Sequence, residues 1–289
     1  MTKETFDVKK VLITLQNMLV DIARDLIVSS HDMSDPLQQG LKADPDSPAE
    51  HSPSWHQYGI LTHSENFQKI LAFEIPKLME EWNIPHEVTS VLSDKIEGVS
   101  KGDLLQIASL LHDLGKFTSR TFEYQEDGAP LARFVGHEAD SGSIIRVTLN
   151  DTLKKVGLHN EQIEYIAVCA EHHFDLGNAR EVAKDSGGYT IAYAKSTLFE
   201  EAALAIMNRY PNIALEIGLM FIADSLSKTE VAAVADTDDG ITTQKGALQE
   251  VIKHKGLDPR LINQALQQPV NIEIGKQYLQ LLSQRRKAR

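Results

Sequence analysis

Only one cysteine, Cys169, occurs in the 289 residues. A single thiol excludes an internal disulfide framework and any paired-cysteine zinc site, and it suits a reducing, cytoplasmic setting. Positive charge is also short. Lys and Arg number 29 against 41 Asp and Glu, a formal charge of -12. An acidic surface disfavours non-specific binding to DNA, RNA or anionic lipid. No run of 18 apolar residues is present, so no segment is expected to span a membrane. The opening MTKETFDVKK has no apolar core of the kind a signal peptide needs. Internal repeats and heptad runs are lacking too. What remains is a chain with 42% hydrophobic residues, enough to bury a core, and a length that suits one large domain or two modest ones.

The apolar pattern is helical almost throughout. Val8, Val11, Leu12, Leu15, Leu19, Ile22 and Leu26 recur at helix spacing, which predicts an N-terminal helix within residues 1–30. Residues 31–55, with four prolines and many small polar residues, read as a loop or linker, with His31 and His51 exposed to solvent. From 56 to 289 helices follow one another, including 86–97, 103–113, 137–149, 160–173, 212–230, 259–267 and 272–285. The exception is 120–134, where two short runs flank Glu126-Asp127-Gly128 and predict a β-hairpin. The fold class is therefore all-α, a helical bundle with one small hairpin. Gly187-Gly188-Tyr189 marks a turn that lacks the spacing of a phosphate loop.

Several titratable residues fall where apolar ones are expected. His63 shares a helix face with Ile60, Phe67, Ile70 and Leu71, and His137 shares one with Ser141, Ile144 and Thr148. Asp224 lies with Ile213, Ile217 and Met220 on IALEIGLMFIAD, a helix apolar nearly all round. A carboxylate buried there costs several kcal/mol if it is unpaired, so a cation should face it. SLLHDLGKF ends an apolar helix in His112-Asp113, and His172-His173 is a second adjacent pair. A lone histidine on an apolar face is commonly a hydrogen-bonded core residue. Five such groups in helices that share a core point instead to imidazole-carboxylate ligation of one or two divalent ions.

The ordered set resembles the HD-domain superfamily of metal-dependent phosphohydrolases. HDLGK, His112 to Lys116, is similar to its most recognisable motif. YGILTHSENF, FVGHEADSG, CAEHHFDLG and FIADSLSK are similar to the segments that carry its other ligands. The resemblance spans residues 56–228, the expected metal core, with further helices over 229–289. It implies that Asp113 bridges two ions, that His63, His112 and Asp224 complete the first, and that His137 and His172 complete the second. Helix periodicity from Ile163, Ile166 and Ala170 turns His173 inward, whereas the motif order selects His172.

The same resemblance implies divalent metal ions as cofactors, two of them, from among Mn, Fe, Co, Ni, Mg and Zn. It also implies a phosphorylated small-molecule partner, nucleotide-like, whose phosphate mono- or diester is cut by a metal-activated hydroxide. Asp113 and Lys116 are then the catalytic candidates, with Lys116 placed to meet a phosphate as a point charge. His173 and Arg133 are candidate substrate contacts. The ligand order also suits a di-iron oxygenase of the same fold. A signalling or binding module built on the scaffold is the third reading.

Overall fold

The computed structural model describes residues 6–124, 126, 128, 130–184 and 188–287. Helices account for nearly all of its regular structure, with two short antiparallel strand pairs among the described residues. The chain divides into two units, each assembled from separated stretches. The first takes residues 1–51, 59–68 and 90–172, and the second takes 52–58, 69–89 and 173–289.

In the first unit the helix Val8–Ser30 starts where Asp7 accepts the Lys10 N–H, and it buries Val11, Leu12, Leu15, Leu19, Ala23, Leu26 and Ile27. The segment after it is no plain linker. Asp35 caps a helix, Pro36–Ala43, whose proline sits in the first turn where a missing N–H costs nothing. A single turn, Pro48–Glu50, follows. Long-range ties hold the segment down. The His31 ring nitrogen Nε2 donates to the Phe117 carbonyl at 2.9 Å, and buried Arg120 donates to the Leu37 carbonyl at 3.2 Å and pairs with Glu50. Asp46 accepts from the Thr62 N–H at 2.8 Å and from its hydroxyl. Contrary to the sequence expectation, His51 is therefore fully buried and His31 half-buried.

The expected hairpin forms, with Thr121–Tyr124 against Pro130–Arg133, although Asp127 of its turn lies outside the described residues, as does Gly187. The helix expected over 86–97 is cut short. His86–Thr89 and Ser90–Ser93 are single turns, and Lys95–Ile96 pairs with Val99–Ser100 in a second hairpin. Its turn residues Glu97 and Gly98 both have positive φ, at 48° and 87°, and a glutamate gives little sequence signal for that. Over 137–149 the chain changes pitch. His137–Ser143 is α-helical and Ile144–Thr148 winds as a π turn. The wider turn carries Thr148 out to solvent and brings Leu149 inward in its place.

In the second unit the helix Ala214–Ser227 is buried along almost its whole length, as its composition requires. It packs on Ile262–Lys287, one continuous helix where two were expected. Pro269 lies inside it. Proline cannot bond to the carbonyl four residues back, and here that carbonyl, on Ala265, accepts the Ala233 N–H at 2.8 Å instead. The helix thus continues without an orphaned acceptor. Where the two helices meet, a Cβ added at Gly275 would lie 2.2 Å from Ile222 Cγ1.

Gly275→Ala should therefore lower stability by about 1–3 kcal/mol through overpacking. Gly246→Ala, where an added Cβ meets nothing within 4 Å, should be neutral or slightly stabilising. Urea denaturation of both variants checks this.

Candidate metal centre

Ser100 caps the helix Lys101–Leu111, accepting from the Asp103 N–H at 3.1 Å. Leu104, Leu105, Ile107, Ala108, Leu110 and Leu111 are all buried, so the helix runs into the interior and ends there. His112 caps its end, and Asp113 opens the turn into the short helix Lys116–Ser119. Both are buried, with His112 0% and Asp113 1% exposed. A helix that buries its face can end in polar residues when those residues satisfy one another.

Gly115 fixes where that turn lies. Its N–H donates to Ser141 Oγ at 2.8 Å, and an added Cβ would fall 2.0 Å from the His137 carbonyl oxygen. The HDLGK turn thus rests directly on the backbone of His137–Ser143, which brings His137 opposite Asp113. His63 comes from the helix Ile60–Phe73. Phe67, one turn further along, packs edge-on against the His112 ring at 4.5 Å.

Three imidazoles converge on one carboxylate. His63 Nε2 lies 3.4 Å and His112 Nε2 3.2 Å from Asp113 Oδ2, and His137 Nε2 lies 3.3 Å from Oδ1. The remaining ring nitrogens set the tautomers. His112 Nδ1 is 2.7 Å from the Ser109 carbonyl and His137 Nδ1 is 2.8 Å from that of Phe134. A carbonyl only accepts, so each Nδ1 carries the proton. In the neutral ring, Nε2 then turns a lone pair towards the carboxylate. Lone pairs facing each other at this distance repel unless a cation meets them. Metal-binding histidines are held in this way, with the far nitrogen donating to the chain. The donor set, imidazole nitrogen with carboxylate oxygen, fits a divalent first-row ion.

Lys116 is the other cation in the cluster. Only 6% exposed, it donates to Asp113 Oδ2 at 2.7 Å and to His51 Nε2 at 2.8 Å. The His51 ring lies 5.5 Å from that of His63. Burial alone would push the Asp113 carboxyl up, but the His112 ring, where it is protonated, and the Lys116 ammonium outweigh it and hold it well below the usual carboxylate range. His51 is the member that sequence reasoning missed. Its neighbours are polar and proline-rich, and nothing local signals the ties at Arg120 and Phe117 that carry it inward.

Of the remaining candidates two are buried and three are not. His172 caps the end of Asn160–Glu171 and is half-buried. Arg133 is on the exposed hairpin, paired with Glu123 at 3.0 Å. Arg146 is held by Glu164 and Glu171, both at 2.8 Å. His173 and Asp224 belong to the second unit. His173 is buried, as helix periodicity indicated. Asp224 is buried as well, and the cation that faces it is Lys228, one helical turn on, at 2.7 Å.

The HD domain family model matches residues 80–229, more than half of the chain. The chain belongs to the HD domain family. The family is one of metal-dependent phosphohydrolases. The match takes in His112, Asp113, His137, His172 and Asp224 and begins after His63, which joins the cluster by its distance to Asp113. No curated protein matches the sequence. No helix among the described residues is long and apolar enough to cross a membrane.

Gly115→Ala should displace the turn from His137. We expect a loss of about 1–3 kcal/mol in stability, together with loss of high-affinity metal binding, read by urea titration and by calorimetric titration with Mn²⁺.

Proposed function

We propose that this chain hydrolyses a phosphate mono- or diester of a nucleotide-like small molecule, with divalent metal held by His63, His112, Asp113 and His137. The observation that carries this reading is the convergence of three imidazole Nε2 atoms on the two oxygens of Asp113. The order of the motifs extends the ligand set to His172 and Asp224, and the count to two ions. Bound metal supplies an activated water and neutralises charge on phosphate oxygens.

The chain's own residues do the rest. The Ser109 and Phe134 carbonyls hold the His112 and His137 rings in the tautomer that presents Nε2. Asp113, ionised by its surroundings, stays a ligand and not an acid. Lys116 keeps an ammonium beside Asp113, where it meets a phosphate oxygen as a compact charge. His51 accepts from that ammonium and fixes where it points. Burial of the cluster keeps bulk water from screening these charges.

The first test is elemental analysis of protein purified without chelator, followed by a screen of nucleotides for phosphate release. The wild type should carry redox-silent divalent metal, and Asp113→Ala and Asp113→Asn should carry none. Retention of metal by both variants would overturn the ligand assignment. Iron with an absolute need for O₂ in turnover would replace the hydrolase by an oxygenase.

Lys116→Ala separates substrate binding from metal binding. Metal content should hold while KM rises about tenfold, the loss of one charge-assisted hydrogen bond. Unchanged KM and kcat would leave Lys116 a structural partner of Asp113.

A further inference from the structure

Arg180 lies within the second unit, in the helix Ala179–Lys184, and is half-buried among aromatic rings. Its guanidinium carbon is 5.1 Å from the centre of the Tyr189 ring, 5.4 Å from Phe174 and 5.8 Å from Trp55. Its protein partners are neutral. Nη2 lies 3.4 Å from Asn271 Oδ1, and the Gln267 carboxamide, turned so that its oxygen faces the guanidinium, accepts from Nε and Nη2 at 3.1 Å. The Tyr189 hydroxyl donates to the same Asn271 oxygen at 2.9 Å. Burial pushes that hydroxyl up to about 12 in spite of the guanidinium beside it, so it remains a donor at neutral pH.

What sets Arg180 apart is its cage of aromatic rings; among the described residues it shares the want of a carboxylate with Arg209, Arg285 and Arg286. In a chain with 41 acidic and 29 basic residues, Arg120, Arg133, Arg146 and Arg260 each hold a carboxylate. Among the described residues Arg180 is held by no carboxylate, and its bonds to Asn271 and Gln267 use Nε and Nη2. Lys228 Nζ, 4.8 Å from the same Phe174 ring, is committed to Asp224. Among neutral partners a guanidinium is costly to half-bury. It is also a planar fork that suits phosphate oxygens, and stacked rings pre-organise it for them. Trp55 and Tyr189 are both partly exposed, and such rings stack on planar ligands.

We propose that Arg180, with Trp55, Tyr189 and Phe174 around it, is a binding site for an organic phosphate that carries a planar ring, such as a nucleoside monophosphate. The phosphate takes Nη1 of the fork, and the ring of the ligand lies against Trp55 or Tyr189. This goes beyond the hydrolase reading and needs no metal.

The chain's two tryptophans supply the probe. In a Trp82→Phe background, emission comes from Trp55 alone. Adenosine 5′-monophosphate is titrated in the presence of chelator, so that failure of the metal centre leaves the measurement intact. We expect a saturable change in Trp55 emission. Adenosine and inorganic phosphate should each bind about tenfold more weakly, as should the monophosphate to Arg180→Gln. Arg180→Lys, which keeps the charge and loses the fork, should fall between. No saturable response at millimolar monophosphate overturns the site, and so does an Arg180→Gln variant that titrates like its parent. Should Arg180→Gln fail to fold, Arg180→Lys decides by the same titration. Weakened binding supports the site, and unchanged binding overturns it.

Discussion

A buried carboxylate is the constraint around which the first unit is arranged. Asp113 is out of water, and a lone ionised group there would cost several kcal/mol. Each element near it supplies part of what it requires. One helix ends in His112, a second brings His63, a third starts at His137, and a short turn adds Lys116. The backbone takes part as well, because two carbonyls decide which ring nitrogens carry protons. Remove the carboxylate and three imidazoles and an ammonium lose the group that justifies burying them.

Much of this is legible in the chain alone, because helix periodicity is a local property. The spacing of His63 with Ile60 and Phe67 predicts an inward ring, and all three are buried. The pairing of His137 with Ser141 predicts a shared face, and both meet the HDLGK turn, one through its side chain on Asp113 and the other through its hydroxyl on Gly115. The all-α class and the 120–134 hairpin follow from the same kind of pattern. Lys116 was legible as a neighbour of the motif but not as a buried residue, since nothing in its spacing tells of His51.

The parts that were not legible depend on partners far away in sequence. Residues 31–51 look like a tether because their content is polar and rich in proline. They are ordered by the Phe117 carbonyl, by Arg120 and by Thr62, and no local pattern announces any of these. The unbroken helix Ile262–Lys287 is a case of the same kind. Proline predicts a break, and Ala233, from a separate stretch, takes the acceptor that proline cannot use.

The π turn at Ile144–Thr148 has a consequence for how this chain can change length. Such a turn holds one residue more than an α turn while the helix carries on. It is a place where the chain can lose a residue without opening a gap. Removing one would return the segment to ordinary pitch and leave the residues after it on their present faces. His137 lies upstream, anchored by the Gly115 contact, and would keep its place. The turn therefore lets one run of helix meet two demands, the register that serves Asp113 upstream and the buried faces of Leu149 and Leu153 downstream.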